Sequence, residues 1–376
     1  MKITYYKELD GVRGIAALMV VFFHFSQSLN GSTHLLSLQK YFKIGQTGVS
    51  LFFVLSGFLI TRILLNSNKK DKYFYNFYIR RSLRIFPLYY FYLLAAYFIF
   101  PLLNSEPIPE FRHQVYYWLY FQDFALTFKW NSVGPFHFWS LAVEEHFYLF
   151  WPLVIYFNNF KRITVCIFTV IVLAFLTRVV LVYHGYDFFY FTFARFDEIA
   201  LGALLAVLEA RKKLTSKNSN LFLLLLTLIA IPAIFTWLIS TNSSHSILQT
   251  TKYILISLVY FLFIAYVLTV DQNHFLKKIL KTKGLLYTGK ISYGIYVYHP
   301  LSYFLFVALF DSENLLFNFI GGLLTTYAIA SLSFHLFENR FLSYKRLFYS
   351  NTNEFKDNPT ISIDHNAGSK EIIKTI

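Results

Sequence analysis

Asp10-Gly11-Val12-Arg13-Gly14-Ile15-Ala16-Ala17-Leu18-Met19-Val20-Val21-Phe22-Phe23-His24-Phe25 decides how the chain is read. The stretch is apolar enough to enter a bilayer, yet it carries Arg13 and His24, two groups that a membrane helix ordinarily avoids. They lie eleven residues apart. On a helix that offset returns to within about 20° of one face and covers roughly 16 Å, about half the hydrocarbon thickness. Arg13 is thus expected at one membrane surface and His24 inside, on the same side of the helix. Two readings stand: a functional polar pair facing an interior, or an arginine that snorkels and a histidine bonded to a neighbouring helix.

Composition extends the membrane reading to the whole chain. Of 376 residues, 56% are hydrophobic and only 14% charged, far more apolar than a soluble domain of this size needs. The fold class expected is all-α: a polytopic membrane protein with about ten transmembrane helices, near 10–30, 46–66, 85–104, 139–157, 163–183, 195–210, 221–240, 252–270, 290–310 and 315–337. No small-residue cleavage site follows the first apolar run, so the first span is expected to direct insertion itself. A net charge of +14 would fit nucleic acid, but in a membrane protein it reads as basic cytoplasmic loops, and no nucleic-acid partner is expected. Lys69, Lys70, Lys72, Arg80, Arg81 and Arg84, then Lys161 and Arg162, then Arg211, Lys212, Lys213 and Lys217, then Lys277, Lys278, Lys281 and Lys283 fall in alternate loops. The other loops hold few, chiefly Lys40, Lys43, Arg112 and Lys129. The asymmetry places both termini in the cytoplasm. Residues 1–345 read as the transmembrane domain and 346–376 as a disordered cytoplasmic tail. The single cysteine, Cys166, excludes an intrachain disulfide and a cysteine metal cluster.

Other polar groups recur at the span ends. Ser56-Gly57 in the second span is small enough for a helix or a ligand to approach closely. Arg81 and Arg84 are three apart and share a helix face, which suits bidentate phosphate binding; positive charge flanking a span is the topological alternative. Residues 105–138 form the longest outer loop, expected to lie partly on the membrane surface. His137-Phe138-Trp139-Ser140-Leu141-Ala142-Val143-Glu144 opens the fourth span, with Glu144, Tyr148 and Trp151 on one face. Glu144 is expected at a depth similar to His24, where a carboxylate would fix the imidazole's tautomer and raise its basicity. Arg195-Phe196-Asp197-Glu198 opens the sixth span, and pairs such as Arg195–Asp197 or Arg178–Glu198 would serve structure. His299-Pro300 sits mid-span, where proline frees a carbonyl that His299 could satisfy; lining the same interior is the alternative.

In this order the motifs resemble acyltransferase family 3, bacterial membrane O-acyltransferases of cell-surface glycans. Arg13 with His24, Gly48 to Leu59, Arg81-x-x-Arg84 with Pro87, His137-x-Trp139-Ser140-Leu141-x-x-Glu144, Arg195 to Gly202, and Ile291-Ser292-Tyr293 to His299 carry the resemblance over about residues 5–345. It departs at His146, where glutamine is frequent, and at Glu338-Asn339-Arg340, which lacks a usual proline. The resemblance implies transfer of an acyl group, usually acetyl, from cytoplasmic acyl-CoA to a carbohydrate hydroxyl on the outer face. A bacterial inner-membrane location follows. Acyl-CoA would be a co-substrate, with no permanently bound cofactor and no metal. Arg81 and Arg84, helped by Arg13, would hold its phosphates, and its arm would reach toward His24. His24, tuned by Glu144, would act as general base or carry the acyl group briefly. Ser56, His137, Ser140, Arg195 and His299 are candidates for orienting substrate. Some relatives carry an extra soluble transferase domain; here the tail is short, so action alone or with a separate acyl-accepting transferase is expected. A transporter or flippase for an anionic or lipid-linked substrate is the rival reading.

Overall fold

Long apolar runs separated by short polar joints fold as helices, because in a bilayer each segment has to satisfy its own backbone groups. The computed structural model describes residues 4–27, 42–68, 70–240 and 247–348, and among these there is no strand. The helices are α1 (Lys7–Gln27), α2 (Gly48–Ser67), α3 (Tyr73–Leu94), α4 (Phe111–Trp118), α5 (Gln122–Thr127), α6 (Trp139–Phe157), α7 (Phe160–Tyr183) and α8 (Thr192–Ala210). They continue with α9 (Ser219–Ile239), α10 (Ile247–Thr269), α11 (Phe275–Leu280), α12 (Lys283–Lys290), α13 (Ser292–Phe310), α14 (Leu315–Ser333) and α15 (Asn339–Tyr344). Local signals set several ends: the Asn159 side chain caps α7 at Arg162 N, 3.0 Å, and Asn314 caps α14 at Phe317 N, 3.1 Å. Residues 28–41 and 349–376, which hold Lys40 and nearly all of the expected tail, lie outside the described residues.

Long helices stand at all ten expected positions, and among the described residues eight are long and apolar enough to cross a membrane. The two that fall short are α6 and α8. These carry the charges: Glu144 and Glu145 on α6, and Arg195, Asp197, Glu198 and Glu209 on α8. Most of α8 is buried in the bundle, whereas α9 leaves Leu221, Leu224, Leu228, Ile231, Phe235 and Leu238 exposed at steps of three and four, a stripe suited to lipid.

Two expectations change. The third span starts at Tyr73, not near 85, and continues past α3 through a π turn at Ala95–Ile99 to Leu103. Arg80, Arg81 and Arg84 are therefore helical residues, not a loop. Their charge made the segment read as a loop, but a helix tolerates them where its face borders a polar cavity. The outer segment 105–138 also does more than lie on the surface. Tyr117 and Tyr120 are buried, Tyr120 stacks on Tyr89 at 4.2 Å, and Tyr89 Oη donates to Tyr117 O at 2.7 Å.

The central crossing is α2 against α8. A Cβ on Gly57 would meet Ile199 O at 1.9 Å, and one on Gly202 would meet Val54 O at 1.9 Å, so the two backbones touch. Gly57 thus serves helix packing, while the adjacent Ser56 faces elsewhere. Gly202→Val is expected to destabilise the detergent-solubilised protein by about 3 kcal/mol or to prevent folding. Gly284→Ala, where nothing lies within 4 Å, should be neutral or stabilising by up to about 1 kcal/mol. Thermal unfolding of both variants checks the contrast.

The outer segment is pinned to the bundle by a buried acid. Thr192 Oγ1 donates to Asp123 Oδ2 at 2.5 Å, and His146 Nδ1 lies 2.9 Å from the same hydroxyl and 3.8 Å from the carboxylate. Burial pushes the Asp123 carboxyl up from 3.8 to about 7, against the pull of the Thr192 hydrogen bonds. A raised carboxyl pKa means that the folded state binds the extra proton. The stability it contributes is full below the unfolded value and is lost as pH rises through about 7. Asp123→Asn is therefore expected to shrink the drop in melting temperature between about pH 5 and about pH 8. An unchanged drop would refute that assignment.

Candidate active site

The site is built on five helices, α2 supplying Ser56 and the others groups of polar residues. Face-sharing spacing brings Arg13 and Asp10 together on α1, Arg81 and Arg84 on α3, Ser140, Glu144 and Tyr148 on α6, and Tyr296 and His299 on α13. A cavity of about 980 Å³ opens beside the N-terminal segment Thr4–Tyr6 and runs inward past Ser56 to Ser140 and Tyr296. Eight lysines and arginines line it, Arg13, Arg81, Arg84, Lys290 and Lys345 among them, against three acids, Asp10, Glu144 and Glu338.

Part of that charge is met from outside the lining, as Arg62 pairs with Glu209, and the cavity's own acids are engaged with their neighbours. Asp10 is held by Arg13 at 3.1 Å and by the Tyr5 hydroxyl. Glu338 accepts from Ser333 Oγ at 3.2 Å. Glu144 stands among Arg81, Ser56 and Tyr148. The Arg81 guanidinium lies 4.1 Å over the Tyr148 ring, whose hydroxyl meets Ser56 Oγ, and Arg81 Nε is buried with no hydrogen-bond partner. Arg84 faces Arg13 and Arg81, two like charges, with Asp10 nearby. A pocket of this sign in low dielectric calls for a polyanion, and guanidinium groups meet phosphate bidentately.

Three histidines gather beyond the cavity's inner end. His299 Nε2 lies 3.0 Å from His24 Nδ1, and the ring centroids are 4.8 Å apart; His137 and His299 are 5.2 Å apart. His137 Nε2 donates to Val297 O at 3.1 Å. Tyr296 both lines the cavity and borders this cluster. Its hydroxyl donates to His137 O at 2.5 Å and receives the Ser140 hydroxyl, and its ring lies 5.9 Å from His299.

The expected pairing of Glu144 with His24 is corrected. The ring beside His24 is His299, and Glu144 belongs to Arg81 and the cavity. Depth is the reason. The histidine cluster includes His137, and Glu144 lies seven residues further along the chain, roughly 10 Å inward along the helix. Arg195 is corrected as well. Fully buried, it donates to Ser50 Oγ at 3.1 Å and to Glu198 at 3.2 Å and packs 4.7 Å from the Tyr253 ring, with Nε and Nη1 left without a hydrogen-bond partner, so it sits in the core and is not part of the cavity lining. The pairs that form are Arg195–Glu198 and Arg178–Asp197. Spacing explains the first, since i,i+3 shares a face and i,i+2 does not. Ser56 and Ser140 line the cavity; His137 and His299 lie in the histidine cluster instead. The sequence reading missed Tyr296, Lys290 and Lys345. The i,i+3 relation of Tyr296 to His299 was the one available signal, because Lys345 sits past the last apolar run.

A family profile described as an acyltransferase domain matches residues 6–334. YrhL of Bacillus subtilis is 27% identical over 389 residues, covering 95% of this chain and 59% of its own length. The peptidoglycan O-acetyltransferase OatA of Listeria monocytogenes is 27% identical over 373 residues, covering 92% of this chain and 58% of its own. The O-acetyltransferase OatA of Staphylococcus aureus is 26% identical over 362 residues, covering 89% and 57%. The chain thus spans less than two thirds of the length of these curated relatives. No solved structure matches the chain.

Proposed function

This chain belongs to the acyltransferase family matched over residues 6–334, and we propose that it is a bacterial inner-membrane O-acetyltransferase taking acetyl from cytoplasmic acyl-CoA to a carbohydrate hydroxyl on the outer face. The observation that carries the reading is the cationic cavity, lined by eight lysines and arginines against three acids, in which Arg13, Arg81 and Arg84 converge. Its mouth lies at the end of the bundle where the basic loops meet: Lys277 reaches Glu8 at 3.2 Å, and Arg62 Nη2 donates to Thr4 O at 2.9 Å. By the charge rule that end is cytoplasmic.

In this reading the phosphates of the donor rest on Arg13, Arg81 and Arg84. The thioester arm extends past Ser56 to Ser140 and Tyr296. His24 takes the proton of the acceptor hydroxyl as its oxygen attacks the thioester carbonyl. The tetrahedral intermediate collapses, the carbon–sulfur bond breaks, and the leaving thiolate recovers the proton from His24. Glu144 has a different part from the one its sequence position proposed: it holds Arg81 in place. The Listeria relative is named for peptidoglycan, so a cell-wall glycan is the first acceptor to assay. A separate transferase that accepts the acyl group on the outer face remains compatible with this scheme. The transporter reading is less well supported, since all three relatives are named as O-acetyltransferases.

The test is surface-glycan ester in cells carrying wild type, His24→Ala or Arg84→Ala at equal membrane expression. His24→Ala should lower ester by about 10²–10⁴-fold. Arg84→Ala should raise the KM for acetyl-CoA about tenfold in reconstituted membranes, with a smaller change in kcat. Ester unchanged in all three strains would refute the reading; an unchanged donor KM in Arg84→Ala would return that arginine to a topological role.

A further inference from the structure

The histidine cluster is wired through a helix break. Pro300 lies inside α13 and has no N–H, so the carbonyl four residues earlier, that of Tyr296, loses its usual helical donor. His299 Nδ1 lies 2.7 Å from that carbonyl, with the Ile295 carbonyl also in reach. A carbonyl only accepts, so Nδ1 of His299 carries the proton. In a neutral imidazole the lone pair is then on Nε2. That nitrogen is the one 3.0 Å from His24 Nδ1.

The same logic passes to His24. Its Nδ1 faces two acceptors, the His299 Nε2 lone pair and Val20 O at 3.0 Å. Val20 O is also the helical acceptor for the backbone N–H of His24, four residues on, whereas His299 Nε2 has no competing donor among the described residues. Both acceptors require an N–H at His24 Nδ1, which leaves the basic lone pair on Nε2, the nitrogen turned away from the cluster. His137 does not compete for this role, because its Nε2 is committed to Val297 O.

We propose that His299, set by the break at Pro300, is a positioning residue that holds His24 as the Nδ1–H tautomer and so presents Nε2 as the base. The inference rests on the reading of His24 as the base, but its first test does not depend on turnover. In the full chain reconstituted in lipid nanodiscs with ¹⁵N-histidine, the His24 signals, identified by their loss in His24→Ala, should show a protonated Nδ1 and an unprotonated Nε2. His299→Leu removes the acceptor and should move His24 toward the Nε2–H form. It should also lower kcat about tenfold or more while leaving the KM for acetyl-CoA unchanged. His299→Gln, whose amide oxygen accepts from Nδ1–H, should restore kcat to within about threefold of wild type. Pro300→Ala keeps both rings but supplies an N–H that competes for Tyr296 O. It should shift the tautomer part of the way and tests the wiring even if His299→Leu does not fold. An Nε2–H tautomer in wild type, or the same tautomer and kcat in a folded His299→Leu, would overturn the proposal. If His24→Ala keeps its turnover, the base reading fails separately from the tautomer result.

Discussion

A charge taken into a bilayer has to find a partner, and this bundle is arranged by where that requirement is met and where it is not. In its core it is met. Arg178 pairs with Asp197, Arg195 with Glu198, and Lys277 with Glu8, all nearly inaccessible. Pairs of this kind contribute little net stability relative to apolar packing, but losing one partner strands the other, so they fix which faces of α7, α8 and α1 turn inward. At the cavity it is met only in part. Arg84 has the like charges of Arg13 and Arg81 beside it, with Asp10, Glu144 and Glu338 shared among the three guanidinium groups. A closed pair offers nothing to a ligand, whereas a cluster of like charges is stabilised by an arriving anion. The local excess of positive charge therefore marks the candidate site more clearly than the number of charges in the chain does.

The second helix separates the two regimes. Successive residues on a helix point about 100° apart, so Gly57 can lie against the α8 backbone while Ser56 lines the cavity beside Tyr148. One further turn along, Thr61 receives the Trp151 indole N–H at 2.8 Å, tying α2 to α6 as well. Because α2 is clamped by backbone contact on one side, its cavity face is held without help from the ligand. That rigidity suits a cavity whose polar lining comes from several different helices.

Much of this was legible in the sequence, for reasons that can be named. Apolar runs of the length of a span place helices whatever their neighbours, so the ten helix positions were readable. Residues three or four apart on one helix share a face, so Arg81 with Arg84, and Glu144 with Tyr148, were readable as units. What failed was depth and partnership between helices. Glu144 was set level with His24 because both lie near the ends of spans, but α6 begins only after the 136–138 turn, and His137, not Glu144, reaches the level of His24. Arg195 became a candidate through the resemblance, while its own stretch, Arg195-Phe196-Asp197-Glu198, read as a structural pair. The groups that absorb it, Ser50 on α2 and Tyr253 on α10, are remote in sequence. The basic run before Pro87 read as a loop because charge ordinarily excludes a span, and only the cavity explains why the helix continues through it.

The arrangement bears on how one protein can join a donor from one side of a membrane to an acceptor on the other. In the proposed reading a thioester and a hydroxyl must meet while water and ions are kept from passing. Tyr296 stands at that meeting point, between the cavity and the histidines. Its hydroxyl is fully engaged, receiving from Ser140 and donating to His137 O, so the partition closes without leaving a buried polar group unpaired. Displacing it requires an entrant that offers equivalent hydrogen bonds. Phe52, whose ring lies 6.4 Å from that of Tyr296, and Phe53 line the cavity, and a thioester carbonyl would accept from Ser140 or Tyr296 while its chain packs against apolar rings. A partition closed by its own hydrogen bonds thus favours the acyl arm over solvent, which would protect the thioester from hydrolysis until an acceptor hydroxyl reaches His24.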